Sequence, residues 1–234
     1  MKYLIIGILL LISANVYADT LLYSENFNSY TRKSLPKNWW YEGSKAISIE
    51  NGYLRMDANP DNSGENYNVS TVWLNKEFSG DLKIEVDAHI LKSNGNQNNI
   101  NLFFNFSDSS GEPLIKTKMS RVDGLYSKYH SSTLKGYIFT YLANGNPDIA
   151  RFRFRDCPGF NLIKENNGYE NRIGRTYHLK IIKRGNSIQF FVDGKNYLNV
   201  IDNVFNPENK KGFFGFRTWK TELWWDNLKI YQLL

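Results

Sequence analysis

The chain has a single cysteine, Cys157, in 234 residues, so no intrachain disulfide is available and the fold must rest on its core. A lone thiol with no histidine or second cysteine near it in sequence reads as a small packed side chain. The other reading is a reactive or metal-binding group. Proline, glycine and serine nowhere crowd into a linker, and no repeat or low-complexity tract appears, which argues for one domain. Lysine and arginine form no dense run, which argues against a nucleic-acid partner. The net charge of +6 is mild and leaves an acidic saccharide open. Long apolar runs are missing beyond the first eighteen residues. There Lys2, the apolar stretch from Leu4 to Ile12 and the close Val16-Tyr17-Ala18 have the layout of a signal peptide cleaved after Ala18. That stretch is short for a membrane span of about 20 residues, and no cysteine at the cleavage point offers a lipid anchor. The expectation is a secreted or periplasmic protein, free of the membrane, with residues 19–234 as its one domain.

What the sequence has in quantity is aromatic residues, 15% of the chain, spread over short alternating segments bounded by turn residues. Leu21 to Phe27 opens the domain, and a loop with Pro36 carries Trp39, Trp40 and Tyr41. A hairpin joins Ile47–Ile49 to Gly52–Met56 across Glu50-Asn51-Gly52, and Val69 to Leu74 alternates into Trp73. A meander follows later: Thr176–Lys183, a Gly185-Asn186 turn, Ser187–Val192, an Asp193-Gly194 turn, and Tyr197–Ile201. Phe213–Trp219 and Leu223–Tyr231 close the chain. This spacing predicts an all-β fold, an antiparallel β-sandwich. In Asp81 to Leu91, Leu82, Ile84, Val86, Ala88 and Ile90 face the core while Lys83, Glu85, Asp87 and His89 line the other side. Glycosidases pair two carboxylates. His89 stands where a second glutamate would be needed, so the set of laminarinase-type hydrolases is unmatched, and a solvated strand face explains the pattern. In Asn99 to Phe106 the apolar face is Ile100, Leu102, Phe104 and Phe106. Asn99, Asn101, Phe103 and Asn105 form the other. Asparagine is a poor strand former, so this row is read either as sugar-binding amides or as a polar ladder.

The stretch from Tyr126 to Phe160 carries the strongest candidates. Two alternating runs flank a turn-forming tract with Asn144-Gly145 and Asn146-Pro147, which predicts a hairpin. Tyr137, Phe139 and Tyr141 share one face of the first strand, and Arg151, Arg153 and Arg155 share one face of the second. If the two rows share a side of the sheet, they make a site for a flat, oxygen-rich anion; the register that decides this is not written in the sequence. Tyr126 and the pair Tyr129-His130 lie just upstream. Arg217 and Trp219 share a face further on and form a candidate sugar contact, or an arginine stacked for structural reasons.

The VDGK turn at Val192–Lys195 and the closing GFFGFRTW and WWDNLKIY resemble the concanavalin A-like lectin/glucanase jelly roll. The tract YHSSTLKGYIFTYL, then RFRFRDCPGF, then GFRTW resembles the YesU-like family of bacterial proteins, a domain of unknown function, over most of the mature chain. The resemblance implies a jelly-roll sandwich, often encoded among genes for degrading rhamnogalacturonan or other acidic polysaccharides. Tyr129, His130, Arg155, Gly159, Phe160 and Arg217 fall at its motif positions, but no catalytic role is transferred with them. Jelly rolls often hold a structural calcium; no EF-hand-type ligand loop is present, so neither a metal ligand nor a cofactor is assigned.

Three functions fit. The first is cleavage of a uronate polysaccharide or its oligosaccharides by β-elimination, which needs cations or amides at the carboxylate, a base for the C5 proton and an acid for the leaving oxygen. Tyr129, His130 and Arg155 are the catalytic candidates, and Asn101, Tyr137, Arg153, Arg217 and Trp219 the substrate-binding ones. The second is a carbohydrate-binding module without turnover. The third is a glycoside hydrolase using acids among Glu85, Asp87 and Asp148. The fold does not choose among them.

Overall fold

A computed structural model describes residues 18–30, 34–43, 46–58, 68–93, 100–130, 133–142, 150–167, 171–203 and 211–234. The signal segment up to residue 17, Asn99, the turn at residues 144–147 and Asp148 lie outside the described residues. Strands β1 (Thr20–Glu25), β2 (Trp39–Gly43), β3 (Ile47–Glu50), β4 (Tyr53–Asp57), β5 (Val69–Ser79), β6 (Leu82–Ser93) and β7 (Ile100–Asp108) come first. Two single-turn 3₁₀ helices follow, at Lys118–Arg121 and Tyr126–Tyr129. The chain then runs through β8 (Leu134–Leu142), β9 (Arg151–Cys157), β10 (Asn161–Asn167), β11 (Thr176–Arg184), β12 (Ser187–Val192), β13 (Lys195–Ile201), β14 (Lys211–Trp219) and β15 (Thr221–Gln232).

The strands make two antiparallel sheets, the sandwich that the alternation predicts. One sheet has the order β13-β12-β11-β6-β15-β4-β3, with β1 added along β15, and the other runs β10-β9-β8-β7-β14-β5-β2. The tight turns form where their residue types place them. Asn51 and Gly52 take φ of 52° and 79°, and Asp193 and Gly194 take 49° and 81°. Positive φ at both central residues is the twist that joins two neighbouring strands by two residues.

Between the sheets lies the main core. Phe216 of β14 stacks on Trp39 at 5.8 Å in its own sheet and on Trp225 of the facing sheet at 4.2 Å, so one ring ties both layers. Tyr137, Phe139 and Tyr141 belong to this interior with Phe152 and Phe154. The register settles the face left open by alternation: β8 pairs β9 with Ile138 opposite Arg155 and Thr140 opposite Arg153, so the arginines point outward and the aromatic row points in. Phe106 departs from its expected face. The register of β7 shifts between Phe104 and Ser107, and Asn105 takes φ 54°. This bulge turns Phe106 out beside Phe103. The two join Trp73, Leu114, Tyr129 and Ile138 in a second apolar cluster on the outer face of the seven-stranded sheet, beneath the segment that links β7 to β8.

Phe216 makes the contacts of both layers, so Phe216→Ala is expected to cost about 3–5 kcal/mol. A urea titration checks this, as a lowered midpoint with an unchanged slope.

Candidate functional site

The covering segment is fastened to the sheet by Glu42. Alternation along β2 points Glu42 to the outer face, where it is 1% exposed. Its carboxylate accepts from Trp73 Nε1 at 3.1 Å, Tyr129 Oη at 2.7 Å and Arg121 Nε at 2.9 Å. Arg121, itself buried, also donates to Leu114 O and Thr117 Oγ1. Burial pushes the Glu42 carboxyl above its usual range, against the pull of Arg121, Tyr129 and Trp73. Sequence reasoning missed both Glu42 and Arg121. Glu42 falls in a segment read as a loop, and its partner is 79 residues away.

Arg217 on β14 lies deeper under the same cover. Its guanidinium sits 4.8 Å from the Tyr126 ring and 4.9 Å from the Tyr129 ring. It donates to Thr71 Oγ1 and Gly124 O, each at 2.8 Å. Beside it the face opens. Arg155 donates to Phe160 O at 2.9 Å and lies 4.2 Å over the Phe160 ring. The His130 imidazole stacks on that ring at 4.4 Å and meets the Tyr126 ring edge-on at 5.5 Å. Phe160 holds φ 57°, uncommon for an aromatic residue, and its ring is the platform for both neighbours. His130 is held below the ordinary imidazole value of 6.5 by burial, then by Arg217 and Arg155. Burial pushes the Tyr126 hydroxyl up to about 12.

The expected site residues therefore separate. His130, Arg155 and Arg217 come together, with Tyr126 and Phe160 between them. Tyr129 is fully buried with its hydroxyl given to Glu42, which removes it as a catalytic group. Tyr137 is a correction too: it faces the interior and donates to Asp202 at 2.7 Å. Asn101 is buried, accepting from Thr140 Oγ1 at 2.7 Å and lying 3.5 Å from Arg217 O, so its amide holds strands together. Arg153 stands next along the row and donates to Glu165 at 2.5 Å. Trp219 sits at the end of β14, half-buried, with the Lys220 ammonium 5.3 Å over its ring. Cys157 is buried and in no disulfide, and burial pushes its thiol up to about 12. On the opposite sheet, Asp87 lies 2.7 Å from His178 Nδ1 and accepts from Asn227 Nδ2, while His89 stacks on Trp224 at 4.8 Å. Among the described residues no group of three or more His, Cys, Asp or Glu is placed to hold a metal ion.

The family described as "Domain of unknown function (DUF1961)" matches residues 20–223. The chain belongs to the DUF1961 family. No curated protein matches it. Among solved structures, it is similar to a protein of unknown function with galectin-like fold from Bacillus subtilis, at 21% identity over 91% of this chain and 96% of that one, with a TM-score of 0.77. It is also similar to the carbohydrate binding module CBM66 from Bacillus subtilis, at 21% identity, 83% and 96% coverage and a TM-score of 0.53. The Emp47p carbohydrate recognition domain matches at 15% identity, 92% and 98% coverage and a TM-score of 0.62. At these identities the likeness establishes for this DUF1961 protein a lectin-like sandwich fold.

Two outcomes are expected at the site. Glu42→Gln leaves the Arg121 cation buried without its countercharge and is expected to cost about 3–5 kcal/mol, measured by denaturant unfolding. The His130 ring protons, followed by NMR, are expected to titrate below 6.5, and Arg155→Ala to move that midpoint upward. Because the folded imidazole resists protonation, its contribution to stability is complete above the unfolded value and is lost as pH falls through the folded one.

Proposed function

We propose that this protein binds an acidic, uronate-containing saccharide on the outer face of the seven-stranded sheet and cleaves it by β-elimination. The carrying observation is Arg155. It is a half-buried guanidinium held by a carbonyl and an aromatic ring, with no ion-paired carboxylate among the described residues, beside an imidazole that stays uncharged near neutrality. A substrate carboxylate takes the open guanidinium edge. Neutral His130 removes the C5 proton, the electron pair becomes the C4–C5 double bond, and the C4–O bond breaks. The departing oxygen takes its proton from solvent at the open part of the face, because burial engages the hydroxyls of both Tyr126 and Tyr129. The carbohydrate recognition domains among the structural neighbours support the saccharide, and the arginine row on β9 supports its acidity. The narrower YesU-like kinship and a secreted or periplasmic setting, after loss of residues 1–18, belong to the same proposal. The neighbouring carbohydrate-binding module favours a second reading, binding without turnover.

Incubation with polygalacturonate and other uronate polysaccharides decides between them. Elimination is expected to raise ultraviolet absorbance from unsaturated product, with His130→Ala abolishing the rise and Arg155→Ala raising KM at least about tenfold, a loss of roughly 1.4 kcal/mol. A rise untouched by His130→Ala would remove that base. Silence with retained binding selects the module.

A further inference from the structure

The covered face has a second opening at its far edge. A cleft of about 400 Å³ runs between β2 and the first 3₁₀ turn, with Trp40, Tyr41, Lys118, Met119 and Val122 among its walls. Among the described residues β2 is the edge strand of its sheet and pairs with β5 alone. The ladder fixes which way its backbone points. Asn75 N–H donates to Asn38 O, and Trp39 stands opposite Leu74. The even-numbered residues of β2 therefore exchange hydrogen bonds with β5, and the odd-numbered ones face away. Accordingly Trp39 N–H bonds to Pro36 O and Gly43 N–H to Val122 O. Tyr41, between them, turns its N–H and C=O to the open edge, and among the described residues neither finds a backbone partner.

This is too little edge for another strand. An added peptide needs several consecutive open residues, and here the chain's own Pro36 and Val122 close the edge on both sides of one. What fits is a small group that accepts one hydrogen bond, donates another and carries apolar C–H surface, as a pyranose ring does. Trp40, Met119 and Val122 supply apolar walls, the Tyr41 ring is 42% exposed, and Lys118 supplies a cation for a carboxylate substituent. The cleft and the Arg155 site lie on opposite sides of the cover, on β2 and β9, five strands apart in the sheet order, which is roughly 24 Å at the usual strand spacing. The floor between them is closed, since a Cβ on Gly124 would lie 2.8 Å from Gly43 Cα, so a ligand reaching both must be a chain of several sugar units passing over the cover.

We infer that this cleft is a second saccharide subsite, taking a uronate unit of the same chain that the Arg155 site holds; the inference rests on reading this face as a saccharide site. The test is calorimetry of the full protein with digalacturonate and hexagalacturonate. Wild type is expected to bind the hexamer at least about tenfold more tightly than the dimer, the gain of a linked second contact. Val122→Trp, which fills the cleft from an exposed position, and Lys118→Ala are expected to erase most of that gain and leave dimer affinity unchanged, with unaltered circular dichroism. Hexamer affinity equal in wild type and both variants overturns the subsite. Failure of wild type to bind either probe, or the other uronate polysaccharides, overturns the saccharide reading of the face itself.

Discussion

A carboxylate buried beneath a covering segment has to find its hydrogen-bond donors there, and Glu42 finds three. One comes from the neighbouring strand and two from the segment itself, so a single side chain fixes where the cover lies and which way its aromatic residues turn. Tyr129 is held against Arg217 by this bond, and Tyr126, three residues earlier on the same turn, lies at a similar distance from the guanidinium. The arrangement of cation, rings and imidazole at the open part of the face depends on that anchorage. Removing the anchor would loosen the site without touching any residue that meets a ligand.

The fold was legible because its determinants are local. Alternation over β6, the Asn51-Gly52 and Asp193-Gly194 turns and the closing strands each speak through neighbours in sequence. The site was legible only in part, because its determinants are not. His130 and Arg155 stood out by residue type and proximity, and the sheet does bring them together. Tyr137 drops out of the candidate site because the pairing of β8 with β9, which alternation leaves open, turns its row inward. Phe106 was misplaced by one bulge residue, Asn105. Glu42 and Arg121 carry no pattern at all: a buried ion pair between distant segments becomes visible only when the chain is folded.

Membership of the DUF1961 family and likeness to lectin-type sandwiches fix the architecture and leave the chemistry to individual side chains. On this face the charges are matched except at one place. Arg151 and Arg153 on β9 share Glu165, Arg121 is paired with Glu42, Arg217 is held by hydroxyl, carbonyl and ring faces, and Arg155 lies beside an imidazole that stays neutral. An extended anion lying across the strands would meet these groups in sequence.

The covering segment also changes what kind of sandwich this is. With an apolar cluster on each side, the central strands β7, β8 and β14 are shielded from water above and below, and the molecule is three layers thick at that point. Amide hydrogens there have no solvent-facing side through which to exchange. To open the middle of the seven-stranded sheet, directly under the candidate site, both apolar clusters have to be broken. The candidate site is thus laid on backbone that is packed from both faces.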